Sequence, residues 1–405
     1  MHIGDLPNRN PIESLRAQHR LDPYWGGLWD NGAGAAWFTR GQAARDGAGA
    51  AWLDGDDPDD NLRKVLRGKF AKLRFREVAA VNQWRTMTVQ QLAAITGAEN
   101  LRLLHRSGDL RQLFSAGLVD IGRPASFSRT MPMLVRTSSS GSWDRLWEHA
   151  SFDEWVGITA GQNWRWGSQH ERHNIVTVEA ALRAAELLDV SAVLGEQLCA
   201  LNTVCPPGWS AQDRFANLGA DAMLVRPDGL RIMVETTANT NGIDKKMQRW
   251  ADVLLADRTG SMVVCFLHAP HPDAAGGRAR LDQIRDAVRR AGSATIEHVR
   301  AGVASRMCVA SWQDWFPAMH EVSSDFLGLR AYRATGRVER QFWQPVDLIE
   351  RFDVPTPDPS AGVDALLVEK DLLLGIPHWM RTEGVPSATD RYLSGVGYED
   401  LPVIG

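Results

Sequence analysis

Two short apolar runs, Ala222–Val225 and Leu230–Val234, stand either side of Arg226-Pro227-Asp228-Gly229. A Pro-Asp-Gly turn between apolar runs of strand length predicts a β-hairpin. Ahead of it, Val178, Ala181, Leu182, Ala185 and Leu188 recur at helical spacing and predict a helix over 176–188. Behind it the pattern predicts a helix over 244–256, a strong strand over 261–268 and a helix over 278–291. Two later strands are expected at 294–299 and 307–312.

The segment 61–140 has a different rhythm. A helix is expected over 74–84, with Phe75, Val78 and Ala79 on one face. A second runs from an N-cap at Thr88 to a stop at Gly97, and a third over 100–116 with a break risked at Ser107-Gly108. Two strands, 117–122 and 132–137, follow, joined by a basic loop. Three helices and then two strands is the order of a winged helix-turn-helix, whose third helix enters the DNA major groove. Residues 1–60 are rich in Gly, Ala, Asp and Pro and carry Gly-Ala-Gly-Ala-Ala-Trp twice, at 32–37 and 47–52; they read as a weakly ordered arm. The expected organisation is therefore an arm over 1–60, a winged helix over 61–140, an α/β domain over 150–320 and a C-terminal extension over 321–405.

Composition narrows the class. With 405 residues and 44% apolar content the chain can bury an ordinary core. No apolar run reaches the roughly 18 residues of a membrane span, and the first residues lack the basic and apolar segments of a secretion signal. Cys199, Cys205, Cys265 and Cys308 form no CxxC pair and read as core thiols of a reducing cytoplasm. The net charge of −4 hides an asymmetry: between Leu62 and Arg136 fourteen Lys or Arg face four acidic residues, a local charge of +10. A basic segment in an otherwise acidic chain is an electrostatic footprint for a polyanion, here double-stranded DNA. Arg102, Arg106, Arg111, Arg123 and Arg129 are the candidate DNA contacts within it.

The chemistry gathers at the hairpin. Asp221 and Glu235 stand seven positions either side of Asp228, so a turn at Arg226–Gly229 brings the two carboxylates side by side. Two carboxylates and a backbone carbonyl, with Thr236 the candidate, suit a hard divalent cation such as Mg²⁺, or Mn²⁺ in its place, beside a phosphodiester. A lysine beside them would offset charge developing on the phosphoryl group. Position 237, two residues after Glu235, is threonine, so the lysine must come from the next helix. Helical phase puts Lys246 with Trp250, Val253 and Leu254 on the apolar face, and Lys245 on the polar face as a solvated or phosphate-contacting charge.

The ordered segments His173–Leu182, Ala-Asp221-Ala, Val-Glu235-Thr-Thr and Lys246-Met-Gln-Arg-Trp250 resemble the replication-relaxation family of plasmids and other mobile elements. That resemblance spans roughly residues 65–320. It implies a winged helix followed by a PD-(D/E)xK-like three-layer α/β domain with a mixed central sheet, acting on DNA in replication, relaxation or transfer. Two departures stand out: alanine precedes Asp221 where that motif has proline, and Thr237 stands where it has lysine. The expectation is thus a metal-dependent DNA-nicking or cleaving enzyme, with a non-catalytic DNA-binding regulator or replication accessory factor as the alternative. The HxxH at His170 and His173 lacks the histidine spacing and nearby tyrosine of a rolling-circle relaxase. Walker, GxGxxG and GxSxG motifs are absent.

Overall fold

The computed structural model describes the chain except for residues 30–33, 47–48, 56, 68, 103–107, 125–132, 140, 160–161, 163, 165–170, 202–214, 216–217, 258, 274, 336–341, 356–372 and 382–405. It is a mixed α/β protein that divides into two compact units. One comprises Asn10–Leu21, Leu28–Val178 and Val368–Gly405; the other comprises Met1–Arg9, Asp22–Gly27 and Glu179–Leu367. Among the described residues no helix is long and apolar enough to cross a membrane.

The first unit carries β1 (Ala35–Phe38), α1 (Arg40–Arg45), α2 (Pro58–Arg67), α3 (Ala71–Trp84), β2 (Thr86–Thr88), α4 (Val89–Thr96), α5 (Asp109–Ser115), β3 (Val119–Pro124), β4 (Leu134–Thr137), α6 (Leu146–His149) and α7 (Phe152–Thr159). Its sheet is antiparallel in the order β1-β3-β4-β2. Helix α4 has the ends its sequence predicts. Thr88 and Gln91 form a reciprocal capping box, and Gly97 closes the helix in the left-handed conformation at φ +77°. Of the helix expected over 100–116, the described residues form a 3₁₀ turn at Glu99–Arg102 and the short α5, with Gly108 as N-cap, while 103–107 lie outside the described residues.

The second unit is built on a seven-stranded sheet. Helix α8 (Glu171–Leu187) contributes its residues from Glu179 onward. Then come β5 (Ala192–Gly195), β6 (Ala222–Val225), β7 (Arg231–Thr237), α9 (Ile243–Ala256), β8 (Met262–His268), α10 (Gly277–Gly292), α11 (Ile296–Arg300), β9 (Met307–Ser311), β10 (Arg330–Thr335) and β11 (Phe342–Asp347). The strands lie in the order β11-β10-β9-β8-β7-β6-β5, with β7, β8 and β9 parallel and the rest antiparallel. Every residue of β7 and β8 is buried, as interior parallel strands require. Helices α9 and α10, which follow β7 and β8, pack against each other.

Three expectations are corrected. The first 60 residues are not a separate arm. Ile3, Leu15, Tyr24 and Leu28 are buried, Met1 bonds to Val322, and β1 extends the smaller sheet. Asp22 forms a fully buried ion pair with Arg183, whose guanidinium stacks on Phe316, so apolar and charged anchors combine to fix this segment. Residues 330–354 are no extension either, and most of the chain beyond them lies outside the described residues. β10 and β11 complete the large sheet, and buried Arg226 donates to the carbonyls of Leu348, Glu350 and Val354. Residues 294–299 form no strand, because Thr295 caps α11 by accepting from the His298 N–H.

Candidate active site

The β6–β7 hairpin sets the site. Arg226 and Gly229 close its turn, with Gly229 donating to the Arg226 carbonyl (2.8 Å) and Arg226 to the Leu230 carbonyl (2.9 Å). Gly229 sits at φ +92°, which a residue without a Cβ adopts at no steric cost. Arg226 also grips Asp228 through two hydrogen bonds of 2.7 and 2.8 Å, locking the turn. The register that follows ends at Ala222 with Val234, and the Asp221 N–H donates to the Val234 carbonyl at 3.1 Å, so Asp221 lies at the end of the pairing beside Glu235. The Asp221 carboxylate accepts the Thr236 N–H at 2.8 Å. In an extended residue the N–H and C=O point to the same edge. The Thr236 carbonyl therefore lies on the Asp221 side.

Helix α9 brings the remaining groups. Met247, Trp250, Ala251, Val253 and Leu254 form its buried face. Trp250, one turn beyond Lys246, donates its indole N–H to Glu235 Oε1 at 2.9 Å. Lys246 Nζ makes an ion pair with Glu235 Oε2. Lys245, one residue earlier, is exposed. Of the residues predicted from sequence, Asp221, Glu235, Thr236 and Lys246 are thus brought together, and Lys245 is not.

Glu235 is only 3% exposed, deeper than a strand-end carboxylate is expected to be. Burial and then the Asp221 carboxylate push its carboxyl up to about 7, against the opposing effects of Lys246 and Trp250. Burial works against the Lys246 charge, yet Glu235 and Asp221 outweigh it and raise the ammonium above its ordinary range. Cys199, which donates to the Gly195 carbonyl, is pushed well up by burial and by Asp221, Glu196 and Glu235. Asp221, Glu235 and Lys246 thus act on one another here, two carboxylates beside one ammonium. The oxygen donors of Asp221, Glu235 and Thr236 are of the kind that a hard divalent cation takes.

Sequence reading missed two contributors. Trp250 was legible as an apolar-face residue, but not as the donor that orients Glu235. Glu196 follows β5, a strand too short to stand out in the pattern.

The basic segment looks different from its charge count. Arg111 is tied to Asp54 (2.9 Å) and the Leu53 carbonyl (3.2 Å). Arg74 is buried on Asp109, and Arg136 bridges Asp120 and Glu171 beneath Trp37. Arg123 is exposed on β3, and Arg102 ends the 3₁₀ turn, while Arg106 and Arg129 lie outside the described residues. The exposed cations cluster instead at Arg63, Lys64, Arg67, Lys69 and Lys72, on α2 and the start of α3. On α3, Glu77 is fully buried with neither oxygen hydrogen-bonded; burial and then Asp109 push its carboxyl well up, opposed by Arg74.

Comparison with protein-family models, with curated proteins and with solved structures finds no match to this chain.

Proposed function

We propose that this chain is a DNA-binding protein whose Asp221, Glu235 and Lys246 form a Mg²⁺-dependent phosphodiesterase site of the PD-(D/E)xK kind. The observation that carries this reading is the ion pair of Lys246 with Glu235, whose carboxyl also feels Asp221 at the end of the same hairpin. An antiparallel hairpin bearing two carboxylates, then a helix and a parallel strand, is the element order such sites use, with the lysine moved from position 237 to α9. In the first unit, the order α3-β2-α4-α5-β3-β4 supports a winged helix. Together with the segments that resemble the replication-relaxation family, this supports a role in replication, relaxation or transfer of a plasmid or other mobile element.

Asp221, Glu235 and the Thr236 carbonyl would hold the cation, which supplies Lewis acidity to a phosphoryl oxygen and to water. Trp250 fixes one oxygen of Glu235 and so orients the other. Lys246 places a fixed positive charge where a phosphoryl oxygen becomes more negative.

One observation favours the second reading, a non-catalytic DNA-binding accessory factor. Both Glu235 oxygens already have a protein partner, Trp250 on one and Lys246 on the other. Incubating the full chain and supercoiled plasmid with Mg²⁺ or Mn²⁺ separates the two. Nicking that is lost in Asp221→Asn supports the first reading. DNA binding without cleavage in either metal supports the second.

A further inference from the structure

A second polar constellation lies on the same face of the large sheet. In the parallel register Glu235 pairs with Phe266 and Thr237 with His268, so His268 shares the face of Glu235 one strand over and two residues on. It ends β8, where ligands of parallel sheets gather. His268 is 2% exposed and its Nε2 has no hydrogen-bond partner. The start of α10 closes over this end of the strand: a Cβ added to Gly277 would meet the Pro270 side chain at 3.8 Å. No side chain caps that 16-residue helix at Gly276. Arg280 stands one turn before the buried Ile284 and so lies along the packed face, and its Nε and Nη2 are buried without partners. Arg285 has a partnerless buried Nε, a long 3.6 Å ion pair with Asp282 and a 5.2 Å contact to the Tyr332 ring; its charge also acts on Asp314.

Buried N–H groups of guanidinium are costly to leave unsatisfied, and the charges of both guanidiniums act on the buried His268 imidazole, near an uncapped helix start. Burial and the charges of Arg280 and Arg285 hold the imidazole down to about 4, so it is neutral near pH 7. A bound anion would satisfy all of these groups together. We propose that Arg280, Arg285, His268 and the first turn of α10 form a phosphate-binding site, which positions a backbone phosphate of the nucleic acid beside the Asp221–Glu235 carboxylates. The link to nucleic acid rests on the function proposed above, whereas the anion site does not.

Calorimetric titration of the metal-free full chain with inorganic phosphate tests the site. Saturable one-to-one binding is expected. Arg280→Gln should weaken it about tenfold or more, the loss of charge-assisted hydrogen bonds. Arg285→Gln, at the partly exposed flank, should weaken it roughly threefold to tenfold on the same grounds and carries the test should Arg280→Gln melt early. Exposed Arg300→Gln should leave binding unchanged. Histidine NMR should show phosphate raising the His268 pKa. Absence of saturable binding, or equal binding by the Arg280, Arg285 and Arg300 variants, overturns the site. A short thymidine strand without terminal phosphate separates the sources. Parallel weakening by Arg280→Gln supports a backbone phosphate; unchanged strand binding overturns the nucleic-acid link and leaves a site for a free phosphate compound. Because no metal is present, failure of plasmid cleavage does not affect the outcome.

Discussion

The hairpin site and the basic segment use charge in opposite ways. At the hairpin, an antiparallel register and one helical turn bring Asp221, Glu235, Lys246 and Trp250 to one point. In the basic segment, by contrast, Arg74, Arg111 and Arg136 are committed to Asp109, Asp54, Asp120 and Glu171, and the exposed cations lie elsewhere, at 63–72. Even their buried acids differ. Glu235 has a partner on each oxygen, whereas Glu77 has none. Net charge thus reports little about function until geometry shows which charges are paired internally.

The largest effect that bears on this contrast lies at Lys246. If its charge acts on the reacting phosphate, Lys246→Ala should slow plasmid cleavage by about 100-fold or more, as when other transition-state charge stabilisers are removed. Lys245→Ala, on the exposed side of α9, should change turnover by less than about threefold and act through DNA affinity. Equal losses in the two variants would erase the distinction that helix phase draws.

Stability gives the next largest effect. Glu235→Ala leaves the Trp250 indole N–H buried and unpaired and should cost about 1–3 kcal/mol in urea unfolding. Glu235→Gln keeps an acceptor for Trp250 and should cost less.

Glu77 supplies a pH test in the other unit. Its folded pKa is raised, so the folded state keeps a proton that the unfolded chain releases above its ordinary value of 4.5. Its contribution is fully present below that pH and is lost as pH rises toward the folded value. Wild-type stability should therefore fall relative to Glu77→Gln above pH 4.5, by about 1.4 kcal/mol per pH unit at most. Parallel pH profiles of the two proteins would show that Glu77 has a partner in solution.

The smallest effect concerns DNA affinity. Neutralising Lys64, Lys69 and Lys72 together should lower the salt slope of duplex binding by roughly one for each phosphate that no longer meets a lysine. Arg111→Ala should leave that slope unchanged while lowering stability by about 1 kcal/mol, the scale of a partly exposed ion pair. A reversed pattern would return DNA contact to α5.

Much of the fold was legible where local signals agree. The Thr88 cap with Gly97, the Pro-Asp-Gly hairpin, α9 and the apolar strand β8 all lie close to where the sequence places them. The site was legible because a hairpin register and a helical phase are local rules. What was missed depends on distant partners. β1, β5 and β11 are edge strands that take their form from their sheet neighbours. The docking of residues 22–27 rests on pairs such as Asp22 with Arg183, which no local window contains. The pairing of Arg111 with Asp54 is equally invisible to a charge count.

Manganese binding to the full chain, followed by electron paramagnetic resonance, decides whether the hairpin carboxylates hold a cation. One bound ion is expected, lost in both Asp221→Asn and Glu235→Gln and retained in Lys245→Ala. Manganese bound equally by the wild type and both carboxylate variants would contradict the metal site, and would leave the Glu235–Lys246 pair a structural ion pair.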